Sequence, residues 1–176
     1  MLERIIIAGA GGQGVMLLGK VLALGAMKEN KSVTWLPSYG AEVRGGTAYC
    51  MVAISDKEIG SPYVDKADTL IIMNQPSLER FKDRLIRGGL CLVNSSLVEK
   101  SIIKNACMFR QPFTEVAAKL GNTKVANMVA LGYFIARKKI VHQESIAKVM
   151  EEIAPAGKKD LVEINKQALL KGIALE

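Results

Sequence analysis

The chain has 176 residues, the length of one ordinary domain, and 49% of them are hydrophobic and 23% charged; this excludes intrinsic disorder and supplies enough apolar chain for a sizeable core. The longest apolar stretch, residues 15–27, is interrupted by Lys20 and two glycines, short of the ~20 residues a membrane span needs, and no secretory leader is readable at Met1-Leu2-Glu3-Arg4, so a cytoplasmic protein with no membrane partner is expected. The net charge of +7 is spread along the chain and aromatics are only 5%, which argues against nucleic acid and leaves a diffuse positive field suited to an acidic partner or a small anion.

In chain order, Ile5-Ile6-Ile7-Ala8 reads as a buried parallel strand, and Gly9-Ala10-Gly11-Gly12-Gln13-Gly14 follows as a turn. Residues 15–28 have the length and composition of a helix, and residues 32–36 of a second strand, which together make a βαβ unit. Residues 38–46 hold three glycines and read as a loop. Strands are predicted over residues 47–55, 69–73, 90–93 and 106–109, and an amphipathic helix over residues 76–87. The last third is helical: residues 113–120, then 125–138 with Asn122 or Thr123 as cap and a basic C-terminal end, then 145–153. In the final helix, through residue 170, Asp160 and Glu163 resemble a capping box. The sequence therefore specifies one α/β domain over residues 1–176, with a mainly parallel Rossmann-like sheet, helices on both faces and a helical C-terminal end.

Three cysteines, Cys50, Cys91 and Cys107, lie far apart with no CxxC pair. Neither a disulfide framework nor a metal or cluster site of the chain's own is expected, and each thiol reads as buried among apolar neighbours. The single histidine, His142, precedes a helix and reads as a surface or capping residue, so no Ser–His or Cys–His pair and no catalytic residue is proposed.

The spacing Gly9-x-Gly11-x-x-Gly14 stands where a dinucleotide or phosphate loop belongs, between a strand and a helix N-terminus. Gly9, Gly11, Gly12, Gln13 and Gly14 are thus candidate cofactor-binding residues; the alternative is that these glycines only let helix pack on strand. The dinucleotide fingerprint is incomplete, because the second strand ends Trp35-Leu36-Pro37-Ser38 with no acid for a ribose. In the next loop, Glu42 and Arg44 stand two apart among glycines, beyond a strand's C-terminal end, where open α/β sheets place their sites. Arginine there suits a carboxylate or phosphate; a solvated Glu–Arg pair is the alternative. Two helices, residues 15–27 and 125–136, are apolar nearly all round, which points either to a subunit surface or to their packing inside the domain.

The motifs Gly9-Ala10-Gly11-Gly12-Gln13-Gly14-Val15, Ser38-Tyr39-Gly40-Ala41-Glu42-Val43-Arg44-Gly45-Gly46, Ala67-Asp68 leading to Asn74-Gln75, and Asn127-Met128-Val129-Ala130-Leu131-Gly132 together resemble the gamma subunit of 2-oxoacid:ferredoxin oxidoreductases. That family also takes in the pyruvate and ketoisovalerate oxidoreductases, and the Ser-Tyr-Gly form of the loop looks most like the 2-oxoglutarate branch. The resemblance implies an oxidoreductase that is inactive as this chain alone. It implies that thiamine diphosphate, Mg and iron–sulfur clusters sit on partner subunits, with CoA as co-substrate and ferredoxin as acceptor. The partners implied are alpha and beta subunits and a ferredoxin-like delta subunit, with a homodimer expected for the isolated chain. It makes Ser38, Tyr39, Gly40, Glu42, Arg44, Gly45, Gly46, Asn74 and Gln75 a substrate or interface loop set. A stand-alone dinucleotide-dependent oxidoreductase and a non-catalytic assembly scaffold are the alternatives.

Overall fold

The computed structural model describes residues 1–38, 47–99, 102–155 and 157–176. The elements run β1 (Leu2–Ala10), α1 (Val15–Lys28), β2 (Ser32–Ser38), β3 (Thr47–Ser55), β4 (Ala67–Ile72), α2 (Gln75–Phe81), β5 (Leu85–Asn94), β6 (Cys107–Gln111), α3 (Phe113–Lys119), α4 (Ala126–Lys138), α5 (Gln143–Ile153) and α6 (Lys159–Ile173). Six strands form one sheet in the order β2-β3-β1-β4-β5-β6. β1, β4, β5 and β6 are parallel, while β3 runs antiparallel to both β1 and β2. β2 is therefore not the hydrogen-bonded neighbour of β1 that a simple βαβ unit implies. The chain doubles back through β3, which inserts between them with Ala10 opposite Thr47.

Alternation along β1 divides the core. Ile5 and Ile7 point to one face with α1, α4 and Phe113, whereas Ile6 and Ala8 point to the other with Leu78 and Phe81 of α2; this is the period-2 geometry of a strand buried on both sides. The first face is deep: α1 and α4 lie on the sheet, and α6 lies across α4. Every residue from Ala126 to Ile135 is buried, because Gly132 and Gly172 let the backbones of α4 and α6 meet, and a Cβ on either would overlap the opposing backbone. The all-round apolar character of α4 is thus spent inside the chain. On α1, Leu17 is 41% exposed while Met16 and Leu24 pack against the core.

Three local expectations are corrected. The helix predicted through residue 87 ends at Phe81. One 3-10 turn, Lys82–Arg84, follows, and Leu85 already belongs to β5. Cys107 is exposed, unlike Cys50 and Cys91, because it opens an edge strand. Asp160 lies inside α6, whose N-cap is Lys158 with no side-chain cap bond, so no capping box forms. His142 occupies the N-cap of α5 without a side-chain cap bond and is a surface residue. Asn122 does cap, accepting from the Lys124 amide ahead of α4. Among the described residues, no helix is long and apolar enough to cross a membrane.

Candidate functional site

The chain leaves β1 for α1 on one face of the sheet and leaves the adjacent parallel strand β4 for α2 on the other. Connections that diverge from neighbouring parallel strands open a crevice at the carboxyl edge between them, the place where open α/β sheets bind ligands. The glycine turn fills one side of this edge. Ala10 accepts from the Gln13 amide at 3.1 Å, closing the turn, and Gly12 and Gly14 take positive φ of 94° and 70°, which glycine adopts at no steric cost. Gly14 is also the N-cap of α1, so the first turn of the helix faces the crevice with neither a capping side chain nor an acidic residue in it.

Side chains committed to hydrogen bonds within the chain fix this edge. Gln13 folds back: its Oε1 accepts from the Ala10 amide at 2.7 Å and its Nε2 donates to the Met73 carbonyl at 3.3 Å. A Cβ on Gly9 would stand 2.6 Å from that Oε1, so Gly9 makes room for Gln13. The Met73 carbonyl also accepts from Asn94 Nδ2 at 3.2 Å. Asn94, 0% exposed, further donates to Thr114 Oγ1 at 2.9 Å and accepts from the Thr114 amide at 3.3 Å. One carbonyl at the end of β4 thus joins the glycine turn, the end of β5 and the start of α3. Across the helix layer, buried Asn127 donates to the Gly14 carbonyl at 3.0 Å; a Cβ on Gly14 would overlap its amide.

The structure brings Gly9, Gly11, Gly12, Gln13, Gly14, Asn74 and Gln75 to one edge. Ser38, the last residue of β2, lies at the same edge opposite Tyr49, as does Thr47 opposite Ala10. Tyr39, Gly40, Glu42, Arg44, Gly45 and Gly46 lie outside the described residues; Ser38 and Thr47, which flank them in sequence, lie at this edge of the sheet. Within the set, the roles differ. Asn74 caps α2, its Oδ1 accepting from the Ser77 amide at 3.1 Å, and Gln75 donates to Glu79 at 3.1 Å. Gly11 and Gly12 are exposed, and a Cβ on Gly11 would meet nothing within 4 Å. Sequence reading missed Asn94 and Thr114, and took Asn127 only as part of a helix motif. The readable signal was a polar residue closing or interrupting an apolar run, as Asn94 does after Leu92-Val93. Among the described residues, no cluster of three or more His, Cys, Asp or Glu could hold a metal.

Comparison with known proteins agrees with this architecture. The sequence model of the family described as pyruvate ferredoxin/flavodoxin oxidoreductase matches residues 4–175. The 2-oxoglutarate synthase subunit KorC of Methanocaldococcus jannaschii is 36% identical over 172 residues, covering 94% of this chain and 92% of that protein. The ketoisovalerate oxidoreductase subunit VorA of Methanothermobacter thermautotrophicus is 38% identical over 169 residues, covering 96% of this chain but only 35% of VorA. The chain therefore spans about a third of VorA and nearly all of KorC. The keto/oxoacid ferredoxin oxidoreductase gamma subunit of Geobacter sulfurreducens superposes with a TM-score of 0.84 at 32% identity, covering 97% of this chain and 95% of that one. By its sequence match over almost its whole length and by its fold, the chain belongs to the pyruvate ferredoxin/flavodoxin oxidoreductase family.

Proposed function

We propose that this chain acts as the gamma subunit of a multi-subunit 2-oxoacid:ferredoxin oxidoreductase, in the CoA-dependent oxidative decarboxylation of a 2-oxoacid, with 2-oxoglutarate the favoured substrate. In this reading the thiamine diphosphate, Mg and iron–sulfur clusters belong to alpha, beta and ferredoxin-like delta partners. The 2-oxoacid loses CO2, its acyl group passes to CoA, and the electrons leave to ferredoxin. Cytoplasmic residence and a single domain over residues 1–176 go with this reading. The near-complete match to KorC and the Ser38-Tyr39-Gly40 form of the loop favour 2-oxoglutarate over ketoisovalerate.

The contribution of this chain is then the crevice edge: an exposed glycine turn, an uncapped helix N-terminus, and the Glu42/Arg44 loop, with Arg44 steadying an anionic group of CoA or the 2-oxoacid, or a partner's carboxylate. The observation that carries this is Gly11. Its backbone needs no glycine for packing or for φ, so a glycine there serves whatever approaches the turn from outside. Gly11→Ala in the assembled complex tests this. Folding stability is expected to stay unchanged while the Michaelis constant for CoA rises roughly tenfold, the scale of one lost charge-assisted contact. A variant complex with unaltered assembly and kinetics would show that nothing meets the turn. The dinucleotide alternative is disfavoured because the strand beside β1 on the relevant side is the antiparallel β3, which brings Thr47 to this edge where such a fold places its ribose-binding acid.

A further inference from the structure

We propose that a second cleft, at the amino edge of the sheet and remote from the glycine turn, binds a small organic carboxylate through Arg137. The cleft encloses about 500 Å3, within the range of small-molecule sites. Three observations of different kinds converge on it.

The first is a bulge. Between Ala67 and Thr69 of β4 the paired strand β5 runs from Leu85 to Leu90, so extra residues of β5 loop out of the ladder. Gly88 takes a φ of 77° there, and Gly88 and Gly89 form part of the cleft wall. A Cβ on Gly89 would press on Leu85 and stand 3.0 Å from the Asp68 carbonyl. Bulges of this sort open a sheet edge and recur beside sites.

The second is the state of Arg137 itself. Its guanidinium carbon lies 4.5 Å from the Phe109 ring centroid and 4.8 Å from that of Tyr133. The two rings contact the guanidinium, yet among the described residues no carboxylate pairs with it. The rings, inclined to each other by 67°, make contact with the guanidinium carbon, and a guanidinium fork without a carboxylate partner can receive one on two hydrogen bonds. Compensation of the α4 dipole accounts for a cation at this helix end, but not for one stacked beside a cleft.

The third is charge. Two acids line the cleft, and both are already neutralised. Glu3, its side chain 9% exposed, accepts from Thr69 Oγ1 at 2.6 Å and pairs with Lys138 Nζ at 2.9 Å. Asp68 is held by both arms of Arg4, at 2.9 and 3.0 Å. Arg137 is the charge left over, so the cleft is net positive. Leu2, Ile86, Leu90 and Phe109 supply apolar walls beside it, which fits a carboxylate carried on a short aliphatic body rather than a bare inorganic anion.

Hexanoate is the probe, and Cys107, an exposed thiol in the cleft wall, is the reporter. Burial pushes the Cys50 and Cys91 thiols up to about 12, so alkylation of the native full chain reads Cys107 alone. Hexanoate is expected to saturate in calorimetry with a dissociation constant on the order of 1 mM and to slow Cys107 alkylation at saturation. Arg137→Met, which keeps an apolar chain over the two rings, should weaken hexanoate by roughly ten- to a hundredfold, with Arg137→Lys between. The alkylation assay on the unaltered chain stands whether or not Arg137→Met folds. Absence of saturable hexanoate binding, equal affinity in a folded Arg137→Met chain, or inorganic phosphate binding as tightly as hexanoate would each overturn the proposal.

Discussion

At the scale of single residues, the crevice edge depends on side chains whose hydrogen bonds are spent within the chain. Asn94 has no exposure and makes its bonds to Met73 and Thr114 in the interior. Asn94→Ala removes the fully buried bond to the Met73 carbonyl and leaves the half-buried Thr114 amide without its partner, at a cost of about 1–3 kcal/mol. Gln13→Ala opens bonds at a half-buried turn where water can substitute, so its cost is expected near 1 kcal/mol. Denaturant midpoints should therefore fall further for Asn94→Ala than for Gln13→Ala; the reverse order would mean the turn, and not the Met73 carbonyl, organises the edge. At the opposite edge, burial pushes the Asp68 carboxyl up, but the bonds from the Arg4 side chain and amide outweigh it and hold the group below its ordinary value. A carboxyl lowered in the folded state stabilises fully above its unfolded value, near pH 3.9, and that contribution is lost as pH falls through the lower folded value. Arg4→Met should thus flatten the acid limb of a stability profile while lowering stability at neutral pH. An unchanged acid limb would show that Asp68 is not among the groups that set it.

At the scale of elements, the contact of α4 with α6 decides the helical layer. A Cβ on Gly172 would overlap the Val129 carbonyl and lie 3.0 Å from the Tyr133 amide. Alanine is worth about 1 kcal/mol more than glycine inside a helix, but overpacking costs roughly 1–3 kcal/mol and occasionally more, and a Cβ driven into backbone rather than a flexible side chain belongs at the upper end. Gly172→Ala is therefore expected to lower the melting temperature and to expose the apolar face of α4, read as dye binding; a stabilised variant would show the helices can separate freely. This pairing also explains what was legible in the sequence. α1 and β3 have the bounds expected from their flanking glycine and turn residues, because those breakers act locally. α4 was recognisable as a helix, yet its second apolar face has a partner more than thirty residues away, fitted through two glycines that no local pattern links. The helix predicted through residue 87 failed for a related reason. Leu85 and Ile86 continue the apolar spacing of α2, but they start β5, and Gly88-Gly89 are absorbed as its bulge. Met73, Asn94 and Thr114 were invisible as a set, since a carbonyl carries no sequence signal and their bonds join separate elements.

At the scale of the whole molecule, the placement of β3 separates this fold from a nucleotide-binding one that its glycine spacing imitates. In the dinucleotide fold the strand after the first helix pairs with β1 in parallel, and its carboxyl end brings an acid to the ribose beside the glycine turn. Here β2 is displaced one position outward, and antiparallel β3 occupies the slot, with Thr47 opposite Ala10 and Ala48 opposite Gly9. The glycine turn and helix N-terminus can still meet an anionic group, but the ribose anchor is missing on two counts: β2 ends without an acid, and it ends a strand too far away. The isolated chain is therefore expected to bind NAD more weakly than about 1 mM, a free energy short of −4.1 kcal/mol. It should also show no 2-oxoacid oxidation with CoA and a viologen acceptor, since Cys50 and Cys91 are buried within the core and only Cys107 offers a free thiol at the surface. Calorimetry returning a micromolar NAD constant would mean that a residue of the turn or of residues 38–46 replaces the missing acid. Such binding, abolished by Gly11→Ala, would move this chain from the gamma subunit reading to that of a dinucleotide enzyme.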